Sequence, residues 1–244
     1  MNNTQVVRNS NKGEKLSRKM QEIRDAFDIG QTYQIAAALQ LLIDNSKRNF
    51  DETVEVALRF KVDTKKQQLS VYRGMAVMPN GIGKHVRIAI ICENNKLSLA
   101  QSTGAEFVGE HDLIAKIAEG FTDFDVCICD PVLMKDLSKV AAILGPKGLM
   151  PNPKLGTVTS DFKEAVTMVR SGKPYKMDKY GVVHAGVGKL SFGVKKLIEN
   201  IAAITSAVLK HCVKGTSITS AHITATMSPG IKIAISDVYT VSRM

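Results

Sequence analysis

Two hydrophobic rhythms run through this chain, and they occupy separate stretches. In residues 53–62, TVEVALRFKV, apolar and polar residues alternate strictly. Val54, Val56, Leu58, Phe60 and Val62 fall on one face; Glu55, Arg59 and Lys61 fall on the other. Period-two alternation specifies a strand buried on one face only. After the breaker PNGIG the rhythm changes. VRIAIIC and FDVCIC are nearly continuous apolar runs, the pattern of strands buried on both faces. Helical spacing near 96–103, near 110–119 and from Pro131 to about 143 separates these runs and a strand in AEFVG. A β-α-β-α-β-α order demands a parallel sheet covered by helices on both sides.

From Lys173 the first rhythm returns. YGVVHAGVG reads as a strand, and SITSAHITATM and IKIAISDVYTV read as paired strands. Between them GVKKLIENIAAITSAVLKHC is a long amphipathic helix, with Val194, Leu197, Ile201, Ile204 and Leu209 facing inward. The first portion offers two helices (14–28 and 33–45) and two strands, TVEVALRFKV and SVYRGMAVM, too few for a core of its own. The two ends are therefore expected to fold together as one discontinuous domain, 14–81 with 173–244. Residues 82–172 are inserted, and a basic flexible arm occupies 1–13. Gly81 and Gly172 mark the two crossings and are the expected hinge. The rival is two domains in series, broken near Gly145.

Charge follows the same partition. Lys84 to Arg170 holds 10 basic and 11 acidic residues, while the flanks together hold 23 and 12. A cationic excess confined to the flanks points to a polyanion held there. The N-terminal MNNTQVVRNSNKGEKLSRK has no apolar core for a secretory signal, and no apolar run reaches a bilayer's thickness. Cys92, Cys127, Cys129 and Cys212 lack metal-ligand spacing, and buried reduced thiols are expected.

Enzyme signatures are missing. Gly83-Lys84 and Gly188-Lys189 lack the remaining residues of a phosphate-binding P-loop, and no G-x-G-x-x-G follows the strand at 86–92. No catalytic residues, metal ligands or cofactor are assigned. The alternative, a small α/β nucleotide-binding enzyme, rests on the middle segment alone. LGPKGLMPNPK resembles a phosphate cradle, but its three prolines remove backbone donors and stiffen it, so an ordered connector is expected. Its Lys147 and Lys154 suit RNA contact or solvent equally.

Three stretches suit RNA. In SITSAHITATM, Ser220, His222, Thr224 and Thr226 share one strand face, with Thr219, Ala221, Ile223 and Ala225 on the other. Small hydroxyls admit a sugar-phosphate backbone and bond 2′-hydroxyls; a Thr-rich solvent face is the competing reading. Phe50 precedes a strand, where a lone Phe more often packs than stacks. YKMDKYG places Lys176, Asp178 and Lys179 at a turn, where surface charge is the default and RNA contact gains only from the net charge.

ILGPKGLMPNPKLGTVT, with FDETVEVAL, RGMAVMPNGIGKHVRIAII, GAEFVG, FDVCICDP, DKYGVVHAGVGKLSF and TATMSPG, resembles the large-subunit ribosomal protein one family. This is the universal protein of the mobile tRNA-exit-side stalk, here in its bacterial type. The resemblance covers nearly the whole chain. It implies an α/β fold of two domains: a discontinuous split α/β sandwich and an inserted Rossmann-like three-layer α/β domain. It implies a non-enzymatic protein, monomeric when free, at cytoplasmic ribosomes or in an organellar matrix. Its partners would be large-subunit rRNA, tRNA in the exit site and its own operon mRNA, whose translation it would repress. By motif, the rRNA contacts are Phe50, Thr53, Lys176, Asp178, Lys179, Ser220, Thr226, Met227 and Ser228. Two positions depart from the family. Ser228 stands where the family usually has Gly, adding a side chain where RNA would approach the backbone. KMDK stands where the family often has Arg-Asn-Asp-Lys, so Lys176 replaces a bidentate Arg contact with a monodentate one.

Overall fold

The strictly alternating segment forms β1 (Thr53–Phe60), whose Val54, Val56, Leu58 and Phe60 are buried. The structure is a computed structural model, and its described residues are Gln21, Asp28, 30–46, 49–61, 72–211 and 217–242. The expected arm 1–13, nearly all of the helix expected over 14–28, Val62 and Cys212 lie outside them.

β1 is an inner strand of a four-stranded antiparallel sheet whose other members come from the far end of the chain. They are β7 (Val182–Lys189), β8 (Ile218–Ala225) and β9 (Ile231–Ile233), in the order β7-β1-β8-β9. One face of this sheet packs on α1 (Ile35–Asn45), α7 (Gly193–His211) and α8 (Ile235–Val241). α1 buries Ile35, Ala38, Leu39 and Leu42, a 3-4-7 stripe. α7 buries Leu197, Ile201, Ile204 and Val208, while Val194 and Leu209 are only partly buried.

Three local expectations change. IKIAISDVYTV is a strand only to Ile233; Ile235, Val238 and Val241 then recur at helical spacing and form α8. Thr219 is exposed rather than inward, because the register with β1 slips between Arg59 and Phe60. A strand absent from the sequence reading, β6 (Gly172–Lys176), pairs antiparallel with β2 (Arg73–Val77). Among the described residues the ribbon has two strands, so Pro174 lies on an edge strand, where proline is tolerated.

The middle of the chain builds the parallel sheet β4-β3-β5 from β3 (Ile88–Ile91), β4 (Phe107–Gly109) and β5 (Val126–Cys129). Ala89, Ile91, Cys127 and Cys129 pack toward α3 (His111–Ala118), α4 (Met134–Leu137) and α5 (Ala141–Leu144). Ile88, Ile90 and Ile128 pack the other way, toward α2 (Leu97–Ser102) and α6 (Phe162–Ser171). The helix expected from Pro131 to 143 is broken: 3-10 turns at Pro131–Leu133 and Ser138–Val140 flank α4. Desolvation raises the thiol of Cys129 to about 12, so it stays protonated.

LGPKGLMPNPK is ordered by its own hydrogen bonds. Leu149 N–H donates to Leu144 O (3.0 Å), and Asn152 Oδ1 caps a 3-10 turn at Pro153–Leu155. Buried Thr157 Oγ1 both accepts from Asn152 N–H (2.7 Å) and donates to Asn152 O (3.1 Å). Lys147 Nζ donates to Thr122 Oγ1 (2.6 Å), and Lys154 is exposed.

Candidate nucleic-acid interface

The helices cover one face of the four-stranded sheet. Among the described residues, the other face carries side chains that are exposed or half-buried, including Arg59, His184, Ser220, His222, Thr224 and Lys232. Such a one-sided sheet presents a flat polar surface. The nine residues singled out above fall at its two ends.

At the Thr53 end, segments remote in sequence converge. Thr226 Oγ1 accepts from Thr53 N–H (3.0 Å) and donates to Thr53 O (3.4 Å), closing the space between the start of β1 and the turn after β8. Lys189 Nζ donates to Thr53 Oγ1 (2.8 Å) and to Asp51 O (3.2 Å). Met227 is 44% exposed, and its N–H donates to Glu52 Oε2 (2.9 Å). Glu52 is itself buried, 3% exposed, and its second oxygen accepts from Ser46 Oγ (3.0 Å). Phe50 is 52% exposed, so it does not take the commoner fate of packing. Ser228 Oγ turns back to accept from Ala225 N–H (2.8 Å) and sits inside its own turn rather than in front of it.

At the Arg59 end lie Lys176, Asp178, Lys179 and Ser220. Asp178 Oδ1 accepts from the N–H groups of Tyr180 and Val182 (2.8 Å each), which makes this carboxylate the brace of the turn between β6 and β7. The turn is tied to β1 by Phe60 N–H donating to Gly181 O (2.8 Å). Lys179 Nζ lies 5.1 Å from the centre of the exposed Tyr180 ring. Lys176 is paired across the ribbon with Arg73, and Ser220 with Arg59. Ser220 and Thr226 are thus at opposite ends of β8, about 20 Å apart at the rise of a strand.

Stacking surfaces sit at both ends. Six large hydrophobic side chains are strongly exposed among the described residues, and three of them, Phe50, Met227 and Tyr180, belong to these clusters. With Arg59 and Lys189 beside them, the clusters combine cations, hydroxyls and apolar faces, the groups that grip single-stranded or irregular RNA. Sequence patterning already put Arg59 on the polar face; nothing in it marked Glu52, and Lys189 stood out only within an incomplete P-loop.

Nucleotide chemistry finds less support. In a doubly wound sheet the ligand lies at the carboxyl ends of the strands. There Lys96 Nζ pairs with buried Asp130 (2.5 Å). Of the lysines of the two partial P-loop motifs, Lys84 is ion-paired with Asp125 (2.9 Å), and Lys189 belongs to the other sheet, at its Thr53 end. Among the described residues, no helix is long and apolar enough to cross a membrane. Residues 42–229 match the family model described as the Ribosomal protein L1p/L10e family.

Proposed function

The chain belongs to the ribosomal protein L1p/L10e family, and from that membership we propose that it grips large-subunit rRNA across the open face of its four-stranded sheet. Its general role is that of a ribosomal constituent that binds rRNA. The observation that carries the finer reading is the bonding of Thr53 to Thr226 and of Glu52 to Met227 at one end of that sheet, with the exposed Phe50 three residues before Thr53, although β1 and the turn after β8 are 173 residues apart.

In this reading, residues 14–81 and 173–244 are one RNA-binding domain and 82–172 is an insert. The Thr53 end contacts sugars and bases; the Lys176–Lys179 turn and Ser220 hold backbone. Asp178 acts by bracing the turn, and Ser228 by bracing its own. The protein is of the bacterial type, sits at the mobile stalk and works on cytoplasmic or organellar ribosomes. There it assists release of deacylated tRNA, and it represses its own operon mRNA by binding a similar RNA fold. It works without a catalytic step or cofactor.

The test is a filter-binding titration with a folded fragment of large-subunit rRNA across a salt series. Affinity should fall steeply with salt, since each phosphate contact releases counterions. Thr226→Ala and Met227→Ala should each weaken binding by about 1–3 kcal/mol with the fold intact. A nucleotide that bound while rRNA did not would favour the enzyme instead. Unchanged affinity in both variants would remove the turn after β8 from the interface.

A further inference from the structure

The two clusters stand at opposite ends of one sheet, so an RNA that touches both must cross the rungs between them. Strand register builds the central rung. His184 of β7 and His222 of β8 both lie opposite Ala57 of β1, and Lys232 of β9 lies opposite His222. The imidazole-bearing strands are two spacings apart, about 10 Å, and among the described residues Ala57 is the strand partner between them. His184 and Lys232 are exposed, and His222 is half-buried. The sequence scatters these residues; the sheet lines them up midway between the two ends.

We propose that this rung is a phosphate contact at which His222 becomes protonated when RNA binds, so that binding takes up a proton. The proposal rests on the reading that RNA lies across this face. Among the described residues, the charged and titratable groups that strand register places around His222 on the open face are Lys232 on one neighbouring strand, Glu55 and Arg59 on the other, and His184 beyond it. Burial first, and then the charge of Lys232, hold the imidazole of His222 below its ordinary value. Near pH 7 it is therefore mostly neutral and offers a single N–H. A phosphate above the rung brings a negative charge that favours the imidazolium, which offers two donors. Its pKa is then higher in the complex than in the free protein. The contribution to affinity is full below the free value and is lost as pH rises through the value in the complex. The size of this contribution is the ratio of the phosphate's hold on the imidazolium to its hold on the neutral ring.

The experiment measures affinity for the same folded rRNA fragment at fixed ionic strength from about pH 5.5 to about pH 8, the range of the imidazole titration. Wild-type affinity should fall by up to about tenfold over this range. His222→Asn should lose most of that fall, with its circular dichroism unchanged. His222→Lys, which keeps a charge throughout, should hold tight binding at the alkaline end. Calorimetry of the unsubstituted protein in buffers of different ionisation enthalpy should show net proton uptake near pH 7. Superimposable pH profiles for wild type and His222→Asn, or no proton uptake, would overturn the proposal while leaving RNA binding intact. No affinity for the fragment at any pH would instead bring down the RNA reading beneath it.

Discussion

Glu52 holds the Thr53 end together. One carboxylate oxygen accepts from Ser46 at the end of α1, the other from Met227 N–H, and its main-chain oxygen accepts from Leu190 N–H (3.0 Å). Two separate stretches are thereby fixed by one buried side chain, and a third by its backbone. Glu52→Ala leaves the Met227 N–H and the Ser46 hydroxyl without their acceptor, a loss of about 1–3 kcal/mol when such groups stay buried. The expected result is a lower urea midpoint at unchanged m-value, together with weaker rRNA binding as Met227 loses its anchor. A variant with wild-type stability and affinity would show that the turn after β8 keeps its shape without this carboxylate. The residue types of Phe50, Thr53, Thr226 and Met227 made them legible as candidate contacts. Glu52 was not legible. An acidic residue between Asp51 and Thr53 reads as solvent-facing, and its burial is decided by a turn that arrives 175 residues later. Ser228 was legible as an added side chain but not in its direction, because only the folded turn offers it the Ala225 N–H.

At the level of elements, α7 both packs the sheet and fixes the first crossing between the two parts of the chain. Asn200 is fully buried on this helix. Its Oδ1 accepts from Asn80 N–H (3.2 Å), and its Nδ2 donates to Gly81 O (3.1 Å) and Val187 O (2.7 Å). Gly81 takes a positive φ of 70°, a conformation L side chains rarely adopt. The second crossing is built differently. At Gly172 a Cβ would lie 2.4 Å from Met168 O and 2.8 Å from Met75 Cγ, so α6 and β6 join only through a glycine. Asn200→Ala strips partners from three backbone groups of the crossing and of β7, and should cost about 1–3 kcal/mol. Amide exchange at Asn80 should quicken as well. Unchanged exchange there would mean that the crossing is held by its other contacts. Elements with a single period were legible: β1, the apolar β3 and β5, and α7. Overlapping or masked periods were not. Ile231, Ile233 and Ile235 continue an alternation that Ile235, Val238 and Val241 convert to helical spacing, so α8 read as strand. In β6, Pro174 between two lysines reads as loop, and only its distant partner β2 makes it a strand.

Across the whole molecule, apolar side chains bury themselves in separate groups. One cluster gathers α1, β1, β2, β6, β7, β8, β9, α7 and α8; the buried residues of the other two lie on the two faces of the parallel sheet between Ile88 and Val169, and Met75 of β2 packs against one of them. Mixed α/β architecture followed from the two rhythms, but the pairing of chain ends is a long-range matter that periodicity cannot state. The division into domains is open to direct test by excising 82–172 and joining Gly81 to Lys173. The geometry of the join is favourable. Ala76 of β2 pairs with Lys173 of β6, so the excision turns this ribbon into a hairpin whose loop is 77–81, a five-residue connection of an ordinary length. Asn200 still holds Asn80 and Gly81 in place. Every proposed rRNA contact remains, and so does the central rung. The shortened protein should give a cooperative urea transition and an rRNA affinity within about twofold of the parent, the error expected when removed and retained sites share no partners. An unfolded product by circular dichroism would show that the outer parts need the middle to fold. A folded product that has lost its RNA would place part of the grip on residues 82–172.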